Sequence, residues 1–347
     1  MAIKSLAIKY RPKTFDDVVE QENIKIILKQ QLATNTTKNA YLFCGGAGTG
    51  KTTCARIFAN EINNHQGNPI EMDAASNSGV DDVREIINQA KTKSLDSEYK
   101  VFIIDECHSI SNTGWQAFLK LIEEPPAKSI FIFCTTDPQK IPKTILSRVQ
   151  RYDFQRISFD GIVHRLAHIL ADEFPSATGI NDVGITVDKS AIEYIAKIAD
   201  GGMRDAITLM DKCLAYSTDL TLENVVKALG VLDYEEMFDL LDFIQQNEAN
   251  YIVEFIEKVH RSGRDLKQFV RQFTNFVLDV GKYCICKSFD YIQIPNLYKD
   301  ELDGYIEVVD EINHLLSVLV KLNAEIKWDE SPKAMIEATF ILECTEC

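Results

Sequence analysis

Hydrophobic residues in the first part of the chain, residues 1–157, follow two alternating patterns. Short apolar runs typical of buried strands occur five times, in NAYLFCG, PIEMDAA, KVFIIDE, SIFIFCTT and RYDFQ. Between them, apolar residues recur at helical spacing in segments such as KTTCARIFANEI, VDDVREIINQAK and WQAFLKLIEE. Strands that alternate with helices indicate a parallel sheet with helices on both faces. We therefore predict an α/β domain over residues 1–157.

The rest of the chain has helical patterns without strand-like runs. Three amphipathic segments, FDGIVHRLAHILADEF, DKSAIEYIAKIAD and MRDAITLMDKCLAY, predict a three-helix domain over residues 158–220. Longer amphipathic stretches, including DLKQFVRQFTNFVLDVGKYCICK and YIEVVDEINHLLSVLVKLNAEI, predict an all-helical domain over residues 221–347. The large apolar faces of this last domain fit a role in assembly, and a self-contained helical bundle fits the pattern equally well.

Composition and charge narrow the class of protein. The 347 residues are 46% hydrophobic and 26% charged, which is ordinary for a globular protein. No apolar run approaches the length of a membrane span, and Lys4 and Lys9 interrupt the N-terminal stretch where a signal peptide needs an apolar core. We expect a cytoplasmic protein with no membrane partner. The net charge of −15 excludes a protein that coats DNA indiscriminately, so any DNA contact must be local.

Cysteines give no sign of a disulfide framework or a metal site. Four of the nine fall in apolar segments, as reduced and buried thiols do: Cys44, Cys54, Cys107 and Cys134. Two close pairs lie far apart in the chain and lack flanking turn residues: Cys284 with Cys286, and Cys344 with Cys347. We expect no zinc site.

The first strong chemical signal is a phosphate-binding loop in the stretch YLFCGGAGTGKTTCARIFA. It contains the pattern G-x-x-x-x-G-K-T and lies between a predicted strand and a predicted helix. In this context the pattern binds a nucleoside triphosphate. Lys51 is expected to reach the β- and γ-phosphates, and Thr52 to ligate Mg²⁺. The predicted ATP contacts of the loop are Gly45, Gly46, Ala47, Gly48, Thr49, Gly50, Lys51, Thr52 and Thr53.

Two carboxylates end a later strand, KVFIIDE. Asp105 is the expected second ligand of Mg²⁺, and Glu106 is expected to polarise the attacking water, which would make the site a hydrolase. The next strand ends in Thr135 and Thr136, where a hydroxyl group can contact the γ-phosphate or the water. Ordinary turn chemistry explains these two threonines nearly as well. His108, beside the carboxylates, is more interesting as a coupling residue than as a base.

A phosphate-binding loop, an Asp-Glu pair and a helical lid together resemble the AAA+ class of ATPases. Five ordered blocks narrow the resemblance: YRPKTFDDVVEQENI, EMDAASNSGVDDVREI, DECHSISNTGWQAFLKLIEEPP, TTDPQKIPKTILSRVQRYDF and GGMRDAITLMD. These blocks resemble the bacterial DNA polymerase III gamma/tau subunit, the ATPase of the sliding-clamp loader, and the likeness covers nearly the whole chain. SPKAMIEATFIL resembles the last helix of that family's collar domain, and the tau extensions that bind polymerase and helicase are expected to be absent.

The resemblance implies roles for several further residues. Arg148 matches the arginine finger that reaches the ATP of a neighbouring subunit, Arg204 matches the lid arginine named sensor 2, and Thr136 matches sensor 1. The segment that packs against adenine is matched by Tyr10, Arg11, Pro12 and Val18 or Val19. Taken alone, Arg148 would be interpreted as a surface arginine.

The resemblance also implies the partners. ATP would organise a pentameric spiral of this subunit with delta- and delta-prime-like subunits, which would hold a sliding clamp open and receive primer–template DNA. Two predicted helix starts fit the DNA backbone through their N–H groups. The candidate residues are Ser76, Asn77, Ser78, Gly79, Ser111, Asn112 and Thr113. Simple N-capping explains these residues equally well.

Two departures from the family pattern matter. The family's four-cysteine zinc module is missing, because only NEINNHQGNPI separates the helix after the loop from EMDAAS. The third residue of the finger motif is Val149, which should leave Arg148 intact. A bacterial and a phage source both fit such a trimmed chain. The rival functions are an AAA+ recombination or branch-migration motor, which would not need the DAASN block, and a stator-like clamp-loader subunit, against which Lys51 and Thr52 argue.

Overall fold

The protein is described here from a computed structural model. It describes residues 5–77, 79–94, 96–174, 186–229, 234–329 and 331–346, without the side chains of residues 290, 328 and 344–346. The chain divides into two compact units: the first is Met1–Gly184 with Ile195–Asp211, and the second is Ile185–Tyr194 with Lys212–Cys347. The three-domain boundaries expected from the sequence remain a prediction.

A five-stranded parallel sheet forms the centre of the first unit. Its strands are β1 (Ala40–Cys44), β2 (Ile70–Asp73), β3 (Lys100–Asp105), β4 (Ser129–Thr135) and β5 (Gln150–Asp153). Their spatial order is β2-β3-β4-β1-β5. All five correspond to apolar runs identified in the sequence, so the α/β expectation is confirmed. The register pairs Cys44 with Thr135 and Asp73 with Asp105, which brings the carboxyl ends of the strands to one edge.

Helices cover both faces of this sheet because its strands are apolar on both sides. On β1, Leu42 packs into a core with the helices at Val80–Ala90 and Asn112–Glu123, whereas Tyr41 and Phe43 pack into a second core with the helices at Glu22–Ala33 and Lys51–Ile62. Both cores are fully buried at the central strands. The helices up to residue 174 are α1 (Leu6–Lys9), α2 (Glu22–Ala33), α3 (Lys51–Ile62), α4 (Val80–Ala90), α5 (Asn112–Glu123), α6 (Lys143–Leu146) and α7 (Phe159–Glu173).

All three segments of the predicted lid are helical, as α7, α8 (Lys189–Ile198) and α9 (Met203–Tyr216). The boundary between the two compact units falls within α8 and within α9. A short 3-10 turn at Phe15–Asp17 follows α1, and a second one at Cys107–Ser109 follows β3.

Helices also make up the second unit, as the sequence pattern predicts. After α9 they are α10 (Leu222–Leu229), α11 (Tyr234–Gln245), α12 (Ala249–Arg261), α13 (Leu266–Cys286), α14 (Lys299–Gly304), α15 (Val309–Glu325) and α16 (Pro332–Glu346). Helix α13 is the centre of this unit, since twelve of its residues are buried. It begins at an Asp265 cap whose carboxylate accepts the Lys267 N–H at 2.8 Å. In the described part of the chain, no helix has the length and apolar character needed to cross a membrane.

Candidate nucleotide-binding site

The loop between β1 and α3 follows a path that only glycine permits at two places. Gly45 has φ of +152° and Gly48 has φ of +69°. A Cβ atom at Gly45 would lie 2.6 Å from the Phe154 carbonyl oxygen, and one at Gly48 would lie 3.0 Å from the Cα of Gly202. Close backbone approach and φ therefore both require glycine here. Helix α3 begins directly after Gly50, so its first N–H groups face the loop.

Lys51 is held inside this loop although it carries a charge. Its side chain is buried, and Nζ donates to the carbonyl oxygens of Gly45 at 2.9 Å and Gly46 at 2.7 Å. Thr49 closes the same turn, because its hydroxyl donates to Gly46 at 2.9 Å. Two carbonyl groups satisfy the buried ammonium here, and phosphate oxygens are stronger acceptors than carbonyls. The loop thus keeps a desolvated cation beside the cavity.

The two predicted Mg²⁺ ligands are in contact. The hydroxyl of Thr52, the second residue of α3, donates to Oδ2 of Asp105 at 2.7 Å. Asp105 is the last residue of β3, so the sheet edge and the helix start converge at this point. A hydroxyl and a carboxylate are the hard oxygen donors that Mg²⁺ prefers. The residues present therefore fit a magnesium ion.

Glu106 is oriented by groups on the neighbouring strand end. Its backbone lies in the left-handed region at φ +46°, and its N–H donates to Oδ1 of Asp105 at 3.1 Å. Its Oε2 accepts the Thr136 hydroxyl at 2.9 Å, and Nδ1 of His108 lies 3.3 Å away. A left-handed conformation is uncommon for a residue other than glycine and typical of functional sites. The direction of this carboxylate is therefore set by Thr136 and His108.

Thr135 and Thr136 have different surroundings. Thr135 is fully buried, and its hydroxyl lies 3.2 Å from Nδ1 of His108 and accepts the Asp137 N–H at 3.0 Å. Thr136 contacts Glu106 directly. His108 thus connects the buried threonine with the carboxylate, which fits its interpretation as a coupling residue. A contact of Thr136 with a phosphate or a water stays a prediction.

One cavity joins the loop to the segment expected to pack against adenine. It is lined by Gly48, Thr49, Gly50, Lys51, Thr52 and Thr53, and by Ala7, Tyr10, Arg11, Pro12, Val18, Val19, Ile157, Arg165, Met203, Arg204 and Ile207. The loop, the segment expected to pack against adenine and Arg204 are far apart in the sequence, yet they line the same cavity. The aliphatic lining residues all come from outside the loop, and we call the wall that they form the apolar end of the cavity. Gly45, Gly46 and Ala47 are not lining residues.

The lid side of the cavity contains residues that the sequence analysis missed. Met203 and Ile207 line it beside Arg204, and the Met203 N–H donates to the Gly48 carbonyl at 3.1 Å. The start of α9 thus touches the phosphate-binding loop. Arg165 also lines the cavity, from the middle of α7. Its only sequence signal was a polar residue on an amphipathic helix, which is too common to single out.

Arg148 lies elsewhere on the first unit and does not line this cavity. Its Nε and Nη2 atoms both lie 2.8 Å from Oε1 of Glu123, at the end of α5. Its Nη1 donates to the Thr144 carbonyl at 2.9 Å and to the Ser147 hydroxyl at 3.1 Å. The Arg148 side chain is 39% exposed. The guanidinium is thus accessible at the surface and held by groups of its own chain.

The two candidate DNA-contacting helix starts differ in charge. At α4, the Gly79 N–H donates to the Asp82 carboxylate at 3.1 Å, and Ser76 donates to Asp73 at 3.1 Å. At α5, the Ser111 hydroxyl caps the helix by accepting the Gly114 N–H at 3.2 Å, and the first turn has no acidic residue. Capping therefore occurs at both starts. The remaining candidates are Asn77, Asn112 and Thr113, which are exposed, and Ser78, which lies outside the described residues.

The cysteines near the cavity are buried, as expected. Burial raises the pKa of Cys44 to about 11 and of Cys54 to about 12, and it raises the pKa of Cys107 and Cys134 well above the usual range. These thiols are neutral at physiological pH and poor nucleophiles. Of the four other cysteines discussed above, Cys284 is buried and Cys286 exposed. The Cys344 side chain and Cys347 lie outside the description.

Comparisons with known proteins show which proteins this chain resembles. The model of the DNA polymerase III delta subunit matches residues 69–158, and that of the DNA polymerase III clamp loader subunit ATPase lid domain matches residues 161–219. The tau subunit of Bacillus subtilis DNA polymerase III is 32% identical over 99% of this chain and 64% of its own length. The tau/gamma subunit of Haemophilus influenzae is 36% identical over 76% of this chain and 40% of its own length. The chain is a homologue of DNA polymerase III gamma/tau subunits.

The gamma/tau homologue also shares its fold with a solved AAA+ motor. The Thermotoga maritima RuvB Holliday junction branch migration motor superposes with a TM-score of 0.51, over 74% of this chain and 86% of the RuvB chain. At 20% identity this likeness shows the fold alone. The homologue spans between 40% and 64% of the length of the Haemophilus and Bacillus relatives.

The sequence predicts that the four-cysteine zinc module is missing between α3 and β2. Helix α3 ends at residue 62 and strand β2 begins at residue 70. Within the described ranges, no group of three or more His, Cys, Asp or Glu side chains is placed to hold a metal ion. The absence of zinc from the purified gamma/tau homologue stays a prediction.

Proposed function

We propose that this gamma/tau homologue is an ATP-hydrolysing motor subunit of a DNA sliding-clamp loader, which places the clamp on primed DNA during replication. The observation that carries the proposal is the different placement of two positively charged side chains, Lys51 and Arg148. Lys51, Thr52 and Arg204 line one cavity, whereas Arg148 is exposed outside that cavity.

The residues around the cavity support ATP as the ligand. The buried ammonium of Lys51 and the first N–H groups of α3 bind the β- and γ-phosphates, and Arg204 approaches them from the lid. The apolar end between Pro12, Val18 and Ile207 accepts a flat base. Thr52 and Asp105 would hold Mg²⁺, which when bound neutralises charge on the phosphates.

Hydrolysis then depends on Glu106. Its carboxylate polarises the water that attacks the γ-phosphate, and Thr136 and His108 orient the carboxylate before the water arrives.

Arg148 supplies its positive charge to the nucleotide of a neighbouring subunit. A guanidinium that is exposed and lies outside its own cavity is available to another subunit's γ-phosphate. There it neutralises charge that develops in the transition state, a contribution of roughly 10³–10⁵ in rate for such arginines. Assembly would therefore control hydrolysis.

The partners follow from the family. We infer a pentameric spiral containing copies of this chain with delta- and delta-prime-like subunits, a sliding clamp and primer–template DNA, in the cytoplasm. Helix α5 is better suited to a DNA phosphate than α4, because acidic side chains at Asp81 and Asp82 oppose an anion at the start of α4. Contacts to the backbone alone would explain a DNA partner for a chain with net charge −15.

The test is the steady-state ATPase rate of the chain with its cognate loader subunits, measured alone, with clamp, with primed DNA and with both. A clamp loader is stimulated most by clamp and primed DNA together. Stimulation by four-way junction DNA, with no response to the clamp, would instead indicate a branch-migration motor and overturn the proposal.

A further inference from the structure

Arg165 connects the lid helix α7 to the apolar end of the nucleotide cavity. Its guanidinium lines the cavity, and Nη2 donates to the Tyr10 carbonyl at 3.0 Å across 155 residues of sequence. Tyr10, Arg11 and Pro12 line the same end. The contact therefore fixes the orientation of the peptide group between Tyr10 and Arg11, in the segment that the sequence predicts to pack against adenine.

Two further contacts join the same segment to the end of α7. The Tyr10 hydroxyl donates to Asp172 at 2.5 Å, and Lys9 is paired with Glu173. Lys9 and the Tyr10 hydroxyl lower the pKa of the Glu173 carboxyl, so this carboxylate is ionised and can hold the segment at neutral pH. Arg165 lies about two helical turns before these acids and, unlike them, lines the cavity.

The second wall segment of the cavity is held by hydrogen bonds within its own turn. The Thr14 hydroxyl and the Thr14 N–H donate to the Asp17 carboxylate and lower its pKa. Asp17 closes the turn that leads into Val18 and Val19, which line the cavity. The Tyr10 carbonyl is therefore the contact through which Arg165 reaches the cavity wall.

We propose that Arg165 is a positioning residue for base recognition, which orders the Tyr10–Pro12 segment through the Tyr10 carbonyl so that the site prefers adenine. The inference rests on the proposed function in that it takes ATP as the ligand. It gives the lid a role at the base end of the nucleotide, separate from the phosphate contact of Arg204.

The experiment measures equilibrium binding of ATP, ADP and GTP to the unchanged chain and to four variants. Arg165→Ala should weaken ATP and ADP by about ten-fold each, as expected for loss of a hydrogen bond from a charged donor. The ratio of ATP to ADP affinity should stay constant, and the preference for ATP over GTP should fall by about the same factor. Arg165→Lys keeps a donor for the Tyr10 carbonyl and should stay within about three-fold of wild type.

Controls separate this role from a structural one. Arg84→Ala removes an exposed helix arginine that does not line the cavity and should change none of these affinities. Arg204→Ala should alter the ratio of ATP to ADP affinity, because its expected partner is the γ-phosphate. Melting temperatures of all variants establish that they are folded.

Several results would overturn the inference. Selective weakening of ATP over ADP in Arg165→Ala would make Arg165 a phosphate contact. Equal weakening of ATP and GTP, unchanged affinities, or a loss that Arg165→Lys does not restore would exclude base positioning. A wild-type chain that binds no nucleotide would contradict the proposed function itself, which distinguishes the two failures.

Discussion

Lys51 and Arg148 are two cations of the same unit placed in opposite environments. Lys51 is buried and held by two backbone carbonyl groups within a loop whose conformation admits only glycine at positions 45 and 48. Arg148 is exposed and held by the side chain of Glu123 and by groups of the short helix α6. Backbone acceptors in a closed loop hold a charge inside its own site, whereas an exposed ion pair contributes little and exchanges partners easily. The difference indicates one cation for the subunit's own nucleotide and one for a neighbour's.

The largest expected effect tests the exposed cation. Arg148→Ala should lower the stimulated ATPase rate of assemblies by roughly 10³–10⁵-fold, because the transition-state charge loses its partner. ATP affinity of the isolated chain should be unchanged within about two-fold, since Lys51, Thr52 and Arg204 remain. Stopped-flow hydrolysis and equilibrium binding measure both quantities. A comparable loss of ATP affinity would place Arg148 in its own site and remove the contrast.

A second pair of variants tests the buried cation against the carboxylate. Lys51→Ala should weaken ATP binding by about a hundred-fold, because charged hydrogen bonds to the phosphates are lost. Glu106→Gln should leave ATP affinity intact and lower turnover by about 10²–10⁴-fold, because only activation of the water is removed. Fluorescent-nucleotide binding and steady-state hydrolysis distinguish the two. Equal losses of affinity would show that the assigned roles are wrong.

The smallest expected effect concerns the acceptor that holds Arg148. If Arg148 leaves Glu123 to reach a neighbour, Glu123→Gln should raise the stimulated rate by up to about five-fold, the range expected for an exposed ion pair. Glu124→Gln, at the next residue, is the matched control and should have no effect. In an Arg148→Ala background Glu123→Gln should also have no effect. A lower rate in Glu123→Gln would instead mean that this carboxylate helps to position the arginine.

Much of the fold was predictable because its signals are local. Alternating apolar runs gave all five strands, and the loop pattern gave the phosphate end of the cavity, since both depend on residues close in sequence. The contact of Thr52 with Asp105 was also predictable, because the carboxyl ends of parallel strands meet the helix starts at one edge.

The missed residues are those whose role depends on tertiary packing. Arg165 contacts Tyr10 across 155 residues, and nothing in the periodicity of α7 distinguishes an arginine facing the cavity from one facing solvent. Glu123 contacts Arg148 across 25 residues, from the end of a different helix. Direct contact of Thr136 with Glu106 likewise depends on the register of β4 beside β3. Residue type and spacing do not encode such contacts.

A mixing experiment tests the central claim, that Arg148 acts on a neighbour's nucleotide. Arg148→Ala and Glu106→Gln chains are assembled with the other loader subunits, separately and as an equal mixture, and ATP hydrolysis is measured with clamp and primed DNA. Each variant alone should be nearly inactive. The mixture should regain activity, because an intact Glu106 of the first variant meets an intact Arg148 of the second. A mixture that stays as inactive as its components, or an Arg148→Ala chain that hydrolyses ATP at the full rate when diluted to a monomer, would contradict the account.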